Sequence, residues 1–275
     1  MTLDLLFTSC TLVIAIAETK LDDSFPTEQF LVEGYYPPLR KDRNAHGGGL
    51  LLYIRNDIPC RPITNLTNLH SHPESIFVEL FIRKTPWLIG AIYKPSSLND
   101  TIFTKNMENM LDAGAALYEN ILLLGDMNFD LQQQNKSKPL INIMDQYALT
   151  NLIDEPTFVS RHGLSSLDVA LTNVKASFLK GKTLDTGLSD GHSMIIAITR
   201  LHTPRLSSRQ ITYRSFKHFN EADYRADVAQ FPSVLLRSSM IQVTSCGHKN
   251  TSSSQFLMIM RPSKIKKFDL NNLLS

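Results

Sequence analysis

The sequence predicts an α/β protein, a four-layer α/β sandwich in which two mixed β-sheets pack face to face with helices on their outer sides. Three observations predict it. Strand-like runs outnumber helix-like ones, and the helix-like segments fall between strands. Several runs, such as residues 12–17 and 121–124, are apolar at every position and so read as strands buried on both faces.

The elements follow in order. Residues 12–17 form a β-rich apolar run that ends in Glu18. Gly47-Gly48-Gly49 introduces a strand over 50–54, and Arg55-Asn56-Asp57 turns the chain after it. Residues 75–80 and 87–93 make a strand pair, stopped by Lys94-Pro95. Ile102, Phe103, Met107, Met110, Leu111 and Leu117 recur at helical spacing, which predicts an amphipathic helix over 101–119. The strand at 121–124 breaks at Gly125, residues 139–147 read as a second helix, and 167–172 and 194–199 as further strands. There is no internal repeat.

After residue 200 the pattern fades. The expected organisation is one domain over 1–200, a linker segment with a helix over 201–232, and a poorly ordered basic tail over 233–275. Charge divides the same way. Residues 1–199 carry 16 Lys and Arg against 22 Asp and Glu, whereas 200–275 carry 12 against 4. The acidic part therefore needs a metal ion, a local cluster such as Arg40-Lys41-Arg43, or the basic tail to hold a polyanion.

A hydrophobic content of 43% with 20% charged residues excludes a disordered or membrane-embedded chain. The odd count of cysteines (Cys10, Cys60, Cys246), without metal-ligand spacing, reads as free thiols of an intracellular protein, nuclear or cytoplasmic. Secretion is the lesser alternative. Residues 5–17 are apolar and Ala15-Ile16-Ala17 resembles a cleavage site, but no Lys or Arg precedes them and Asp4 does. The run is also too short to span a bilayer.

The chemistry gathers at strand ends. In Gly125-Asp126-Met127-Asn128 a carboxylate and a carboxamide stand two positions apart, and in an extended segment they point the same way. An Asx-turn that merely closes the strand is the competing reading. Glu18, Tyr93, Asp168, and Asp190 with His192 occupy other strand ends. Each has a plain reading alone: a solvated carboxylate for Glu18, an aromatic cap on the core for Tyr93, a satisfied structural imidazole for His192. Together they suit metal-assisted hydrolysis of a phosphodiester, with hard oxygen ligands for Mg²⁺, or Mn²⁺ in its place, and no organic cofactor.

Further motifs extend the set. Ala17-Glu18-Thr19-Lys20-Leu21-Asp22, residues 43–49 leading into Tyr53-Ile54-Arg55-Asn56, Tyr93-Lys94-Pro95-Ser96-Ser97, Gly125-Asp126-Met127-Asn128, residues 166–173 and residues 188–192 succeed one another. In this order and spacing, over nearly all of 12–199, the chain resembles the endonuclease/exonuclease/phosphatase superfamily, and most nearly the apurinic-type endonuclease module of non-LTR retrotransposons. Tyr213-Arg214-Ser215-Phe216 resembles the segment that joins such a module to a reverse transcriptase.

The resemblance implies a DNA-nicking hydrolase. Glu18 would be a metal ligand, helped by Asp190. Tyr93 would contact the scissile phosphate, Asp126 would orient or deprotonate the attacking water, and Asn128 would bind phosphate. Asp168 would hold the imidazole of His192, which meets the phosphate. Arg161 and His162 would face DNA from a loop, which is equally readable as a solvated turn.

Two departures from the family pattern stand out. The family's first strand, which carries an Asn, is missing ahead of residues 12–17, so a central strand of the sheet loses a ladder partner and exposes an edge. Gly191 also separates Asp190 from His192, an offset that a turn at the glycine must absorb. Two other functions compete: a phosphoesterase of the same superfamily acting on something other than nucleic acid, and an inactive retroelement remnant that only binds nucleic acid through its basic tail.

Overall fold

The computed structural model describes residues 11–44, 46–161, 163–186 and 191–201, and the backbone of 255–260. The chain divides into a unit of Met1–Arg205 with Ser253–Ser275 and a second of Leu206–Ser252, which lies outside the described residues. The helix expected within 201–232 and the linking motif at 213–216 therefore also lie outside them.

Two six-stranded sheets carry the first unit. The first contains β1 (Thr11–Ala17), β2 (Leu39–Lys41), β3 (Leu50–Ile54), β12 (Phe178–Leu184), β13 (Met194–Thr199) and β14 (Gln255–Met260), in the order β12-β13-β14-β1-β3-β2. The second contains β4 (Cys60–Pro62), β5 (Glu74–Ile82), β6 (Thr85–Tyr93), β7 (Asn120–Asp126), β8 (Thr150–Asn151) and β11 (Asp168–Thr172), in the order β4-β5-β6-β7-β11-β8. Both are mixed: β1 runs parallel to β14 and antiparallel to β3, and β6 runs parallel to β7 and antiparallel to β5. A separate hairpin pairs β9 (Phe158–Ser160) with β10 (Gly163–Ser165), and a one-turn helix, α1 (Thr64–Thr67), precedes β5.

Packing explains the uniformly apolar runs. Every residue of β1 is buried, because each face meets its own core. Val13, Ala15 and Ala17 join Val78 and Leu80 of β5, Ile89 and Ala91 of β6, and Leu122 and Leu124 of β7 between the sheets. On the far side of the second sheet, Leu88, Leu123 and Leu171 pack with Phe103 and Met107 of α2 (Asp100–Ala115) and with Leu140 and Ile143 of α3 (Gln134–Gln146). On the far side of the first sheet, Ile14, Ile16, Leu51 and Tyr53 are covered by Leu21, Phe30 and Tyr35. That outer layer is a loop with one 3₁₀ turn, Thr27–Phe30, where the sandwich pattern predicts a helix. Pro26, Gly34, Pro37 and Pro38 punctuate the segment and leave no room for an α-helix.

Helix boundaries also differ from expectation. The side chain of Asn99 caps α2 by accepting from the N–H groups of Thr101 at 2.9 Å and Ile102 at 3.3 Å. The helix ends at Ala115, short of Leu117, which is exposed. Helix α3 begins at Gln134, five positions ahead of Pro139. Lacking an N–H, Pro139 gives up the bond that this position would donate to the Asn135 carbonyl, and the helix continues past it.

The largest difference concerns the edge of β1. An exposed edge was expected where the family's first strand would lie, and an unstructured tail over 233–275. Instead β14 lies between β1 and β13, with Ile14 opposite Met258 and Ile196 opposite Met258 from the other side. A segment from the C-terminal region thus supplies the missing ladder partner, and residues 255–260 of the tail are a strand. Its apolar Phe256-Leu257-Met258-Ile259-Met260 run is the local reason.

Ending the chain after Ser252 should therefore uncover two ladders at once. At roughly 0.5–1.5 kcal/mol net per backbone hydrogen bond, several kcal/mol should be lost, lowering the melting temperature by about 10 °C or more. Equal melting of the full and shortened chains, followed by circular dichroism, would show that β14 contributes nothing to the sheet.

Candidate active site

The ladder of the second sheet sets the site. β6 places Tyr93 opposite Asp126 of β7, and β11 places Asp168 opposite Asp126 from the other side. Residues in register on neighbouring strands, about 4.8 Å apart, point to the same face. Tyr93 belongs to the core between the sheets, so both carboxylates turn toward the first sheet as well. A phenol and two carboxylates stand in one row.

Glu18 meets this row from the other sheet. It follows β1 directly, and the Tyr93 hydroxyl donates to its Oε1 at 2.5 Å. Its backbone is left-handed, with φ of 56°, a conformation costly for a residue with a Cβ and found mostly where structure is held for function. The turn is pinned by the N–H groups of Thr19 and Lys20, which donate to the carbonyls of Gly49 and Gly48.

Asp126 and Asn128 come together by a route other than the extended one expected. The strand stops at Asp126, and Asn128 is itself left-handed, with φ of 48°. The Asn128 N–H donates to Asp126 Oδ1 at 2.9 Å, so the Asx-turn forms, and that turn is what gathers the two groups. Asn128 Nδ2 donates to the Lys94 carbonyl at 2.6 Å and to Asp126 Oδ2 at 3.3 Å. Both N–H groups of the Asn128 amide are thereby engaged within the protein. Gly125 precedes the pair because a Cβ there would sit 1.7 Å from the Ile92 carbonyl oxygen.

Asp168 is 2% exposed, and one of its carboxylate oxygens lies 3.8 Å from His192 Nδ1. That separation is an ion-pair distance, longer than a hydrogen bond. The imidazole stacks on Phe158 with ring centroids 4.3 Å apart, and Phe158 and His192 form an isolated bridge. Gly191 absorbs the one-residue offset: its φ of 75° is left-handed, and its carbonyl accepts the Val159 N–H at 2.7 Å.

Glu18, Tyr93, Asp126, Asn128, Asp168 and His192 thus meet at one end of the sandwich. Arg161 is exposed in the turn of the β9–β10 hairpin, which springs from beside His192. His162 and Asp190 lie outside the described residues.

Sequence reasoning missed the supports. Thr157, fully buried, accepts from the N–H groups of Leu167 at 3.0 Å and Asp168 at 3.1 Å, and so fixes the backbone that carries the carboxylate. The Lys94 carbonyl holds Asn128, and Phe158 orients His192. Asp130 accepts the Ser166 N–H at 3.0 Å and ties the loop after Asn128 to the approach to β11. Burial pushes its carboxyl up, but hydrogen bonds from Ser166, Gln133 and Gln132 outweigh that and leave it below the usual range. None of these has a local signature, because the partner that ties each to the site is ten or more positions away.

Among the described residues, no three carboxylate, imidazole or thiol groups cluster to hold a metal. A single carboxylate can still suit Mg²⁺, which binds through one or two protein carboxylates and completes its shell with water and substrate oxygens. Glu18 would be the residue to supply it.

Neither the known family models nor the curated proteins contain a match to this sequence. Solved structures do match. The endonuclease domain of TRAS1, a telomere-specific non-LTR retrotransposon, superimposes with a TM-score of 0.54 at 12% identity, over 70% of this chain and all of that one. An endonuclease/exonuclease/phosphatase family protein from Leptotrichia buccalis gives 0.51 at 14%, over 69% and 87% of the two chains. The Xenopus laevis APE2 catalytic domain gives 0.51 at 12%, over 75% and 88%.

Replacing Thr157 by Val should leave the buried Asp168 N–H and the part-buried Leu167 N–H unpaired and cost about 1–3 kcal/mol by urea unfolding. An unchanged midpoint would show that this hydroxyl does not hold the Asp168 strand. The architecture itself is that of the endonuclease/exonuclease/phosphatase fold.

Proposed function

We propose that this chain is a metal-dependent phosphodiester hydrolase that nicks DNA. One observation carries the reading: six groups from five separate stretches of chain converge at one end of the sandwich, joined by the Tyr93–Glu18 and Asp126–Asn128 hydrogen bonds and the 3.8 Å approach of Asp168 to His192. The fold shared with a retrotransposon endonuclease domain, and with a Neisseria 3′ phosphatase, NExo, solved with a product DNA hairpin, supports DNA as the substrate.

In this reading each residue has one role. Asp126 accepts the proton of the attacking water, whose oxygen forms the new bond to phosphorus while the P–O bond to the leaving oxygen breaks; that oxygen keeps the bonding pair and takes a proton from solvent. Asn128 and His192 donate to the non-bridging oxygens, where negative charge builds up. Asp168, 3.8 Å from its Nδ1, keeps the imidazole aimed at the phosphate. Tyr93 holds the Glu18 carboxylate in place. A divalent cation at Glu18, when bound, supplies charge neutralisation at the phosphate and the leaving oxygen. Arg161, on its hairpin, meets the DNA backbone.

Supercoiled plasmid with Mg²⁺ is the test. The unmutated protein should convert it to the nicked circle, and EDTA should stop the reaction. Asp126→Ala or Asn128→Ala should lower the rate by at least 10²-fold with the circular dichroism spectrum unchanged. Full nicking by either variant would refute the assignment. Hydrolysis of sugar or lipid phosphates without plasmid nicking would move the substrate to the non-nucleic-acid class. Salt-sensitive DNA binding with no cleavage would mark an inactive remnant.

A further inference from the structure

We propose that Arg43 is a phosphate-binding residue of this cleft, anchored there by Glu74 to grip the nucleic-acid backbone beside Tyr93. The inference rests on the phosphodiesterase reading above and extends it to a residue outside the catalytic row.

The register supplies the first reason. β5 places Glu74 opposite Tyr93, so Glu74 continues the row already formed by Tyr93, Asp126 and Asp168. Glu74 is 3% exposed, and a buried carboxylate needs a cation and hydrogen bonds to be tolerated. Its Oε2 accepts the Gly49 N–H at 2.6 Å, and its Oε1 lies 2.9 Å from Arg43 Nη1. Arg43 Nε donates to the Gly47 carbonyl at 2.7 Å, and the guanidinium carbon stands 5.8 Å from the centre of the Tyr93 ring. Two sides of the fork are thus committed to the protein, and among the described residues Nη2 makes no hydrogen bond.

The glycine run supplies the second. A Cβ at Gly48 would lie 2.3 Å from Arg43 Nε and 2.6 Å from Glu74 Oε1. Only glycine lets the pair lie against this loop. The Arg43 side chain keeps 31% of its surface open while its partner carboxylate keeps 4%, so the anchor is internal and the cation faces outward. A planar guanidinium with its remaining N–H groups free suits a phosphate oxygen.

The plain alternative is that Arg43 only neutralises Glu74. Salt dependence separates the two, because a residue that neutralises a phosphate releases a counterion and a merely structural one does not. Binding of a short labelled duplex, read by fluorescence anisotropy in EDTA across a range of NaCl, is the measurement. R43Q should weaken binding about tenfold and reduce the slope of log K against log salt by about 0.9, while R43K should keep the slope. The double variant R43Q/E74Q leaves no buried carboxylate unpaired and so protects the fold; it should match R43Q. A wild-type slope and affinity in R43Q, or in the double variant should R43Q fail to fold, overturns the proposal.

Plasmid nicking run beside it keeps the two readings apart. Nicking with an Arg43-independent slope removes Arg43 and leaves the hydrolase, whereas an Arg43-dependent slope without nicking leaves Arg43 and removes the hydrolase.

Discussion

The register of β5, β6, β7 and β11 is the constraint on which the site depends. It sets Glu74, Tyr93, Asp126 and Asp168 side by side at one end of four adjacent strands. A slip of one residue in any ladder would turn that strand's polar terminus to the opposite face. The register is itself held by burial. Leu122 and Leu124 of β7 face the first sheet while Leu123 faces the helices, so a slip would exchange two fitted cores. The polar groups of the candidate site are positioned by the packing of apolar ones.

The first sheet closes the arrangement from across the core. Glu18 follows the last residue of β1, and the hydrogen bond from Tyr93 ties that carboxylate to the opposing row. Left-handed backbone at Glu18 and at Asn128 marks the two places where the chain leaves its strands to present a side chain. Charge is arranged in depth. Buried Asp126, Asp168 and Glu74 would repel a polyanion, and the protein answers with His192 near Asp168 and Arg43 on Glu74. A divalent cation at Glu18 would add to that balance.

Much of this was legible in the sequence, for physical reasons that also explain what was not. Long apolar runs announced β1, β3, β5, β6, β7, β11 and β13, because a strand buried on both faces has no polar position to blur it. The short strands β2, β4, β8, β9 and β10 carry too few residues for any period to register. β12, with Lys180, Gly181 and Lys182 at the sheet edge, lacks apolar alternation. β14 was hidden by its Ser-rich and Lys-rich surroundings, although its own six residues are mostly apolar.

The site residues were readable because they sit at strand ends, where a polar side chain after an apolar run stands out. Their supports were not. Thr157, Phe158 and Glu74 act through partners distant in sequence, and no local pattern encodes such pairings. The direct measurement is a crystal structure with a short DNA duplex and Mn²⁺, located by its anomalous scattering. The expected result is a backbone phosphate within hydrogen-bond reach of Asn128 and His192, with the metal on Glu18. DNA and metal bound elsewhere, with that end of the sandwich bare, would contradict the assignment.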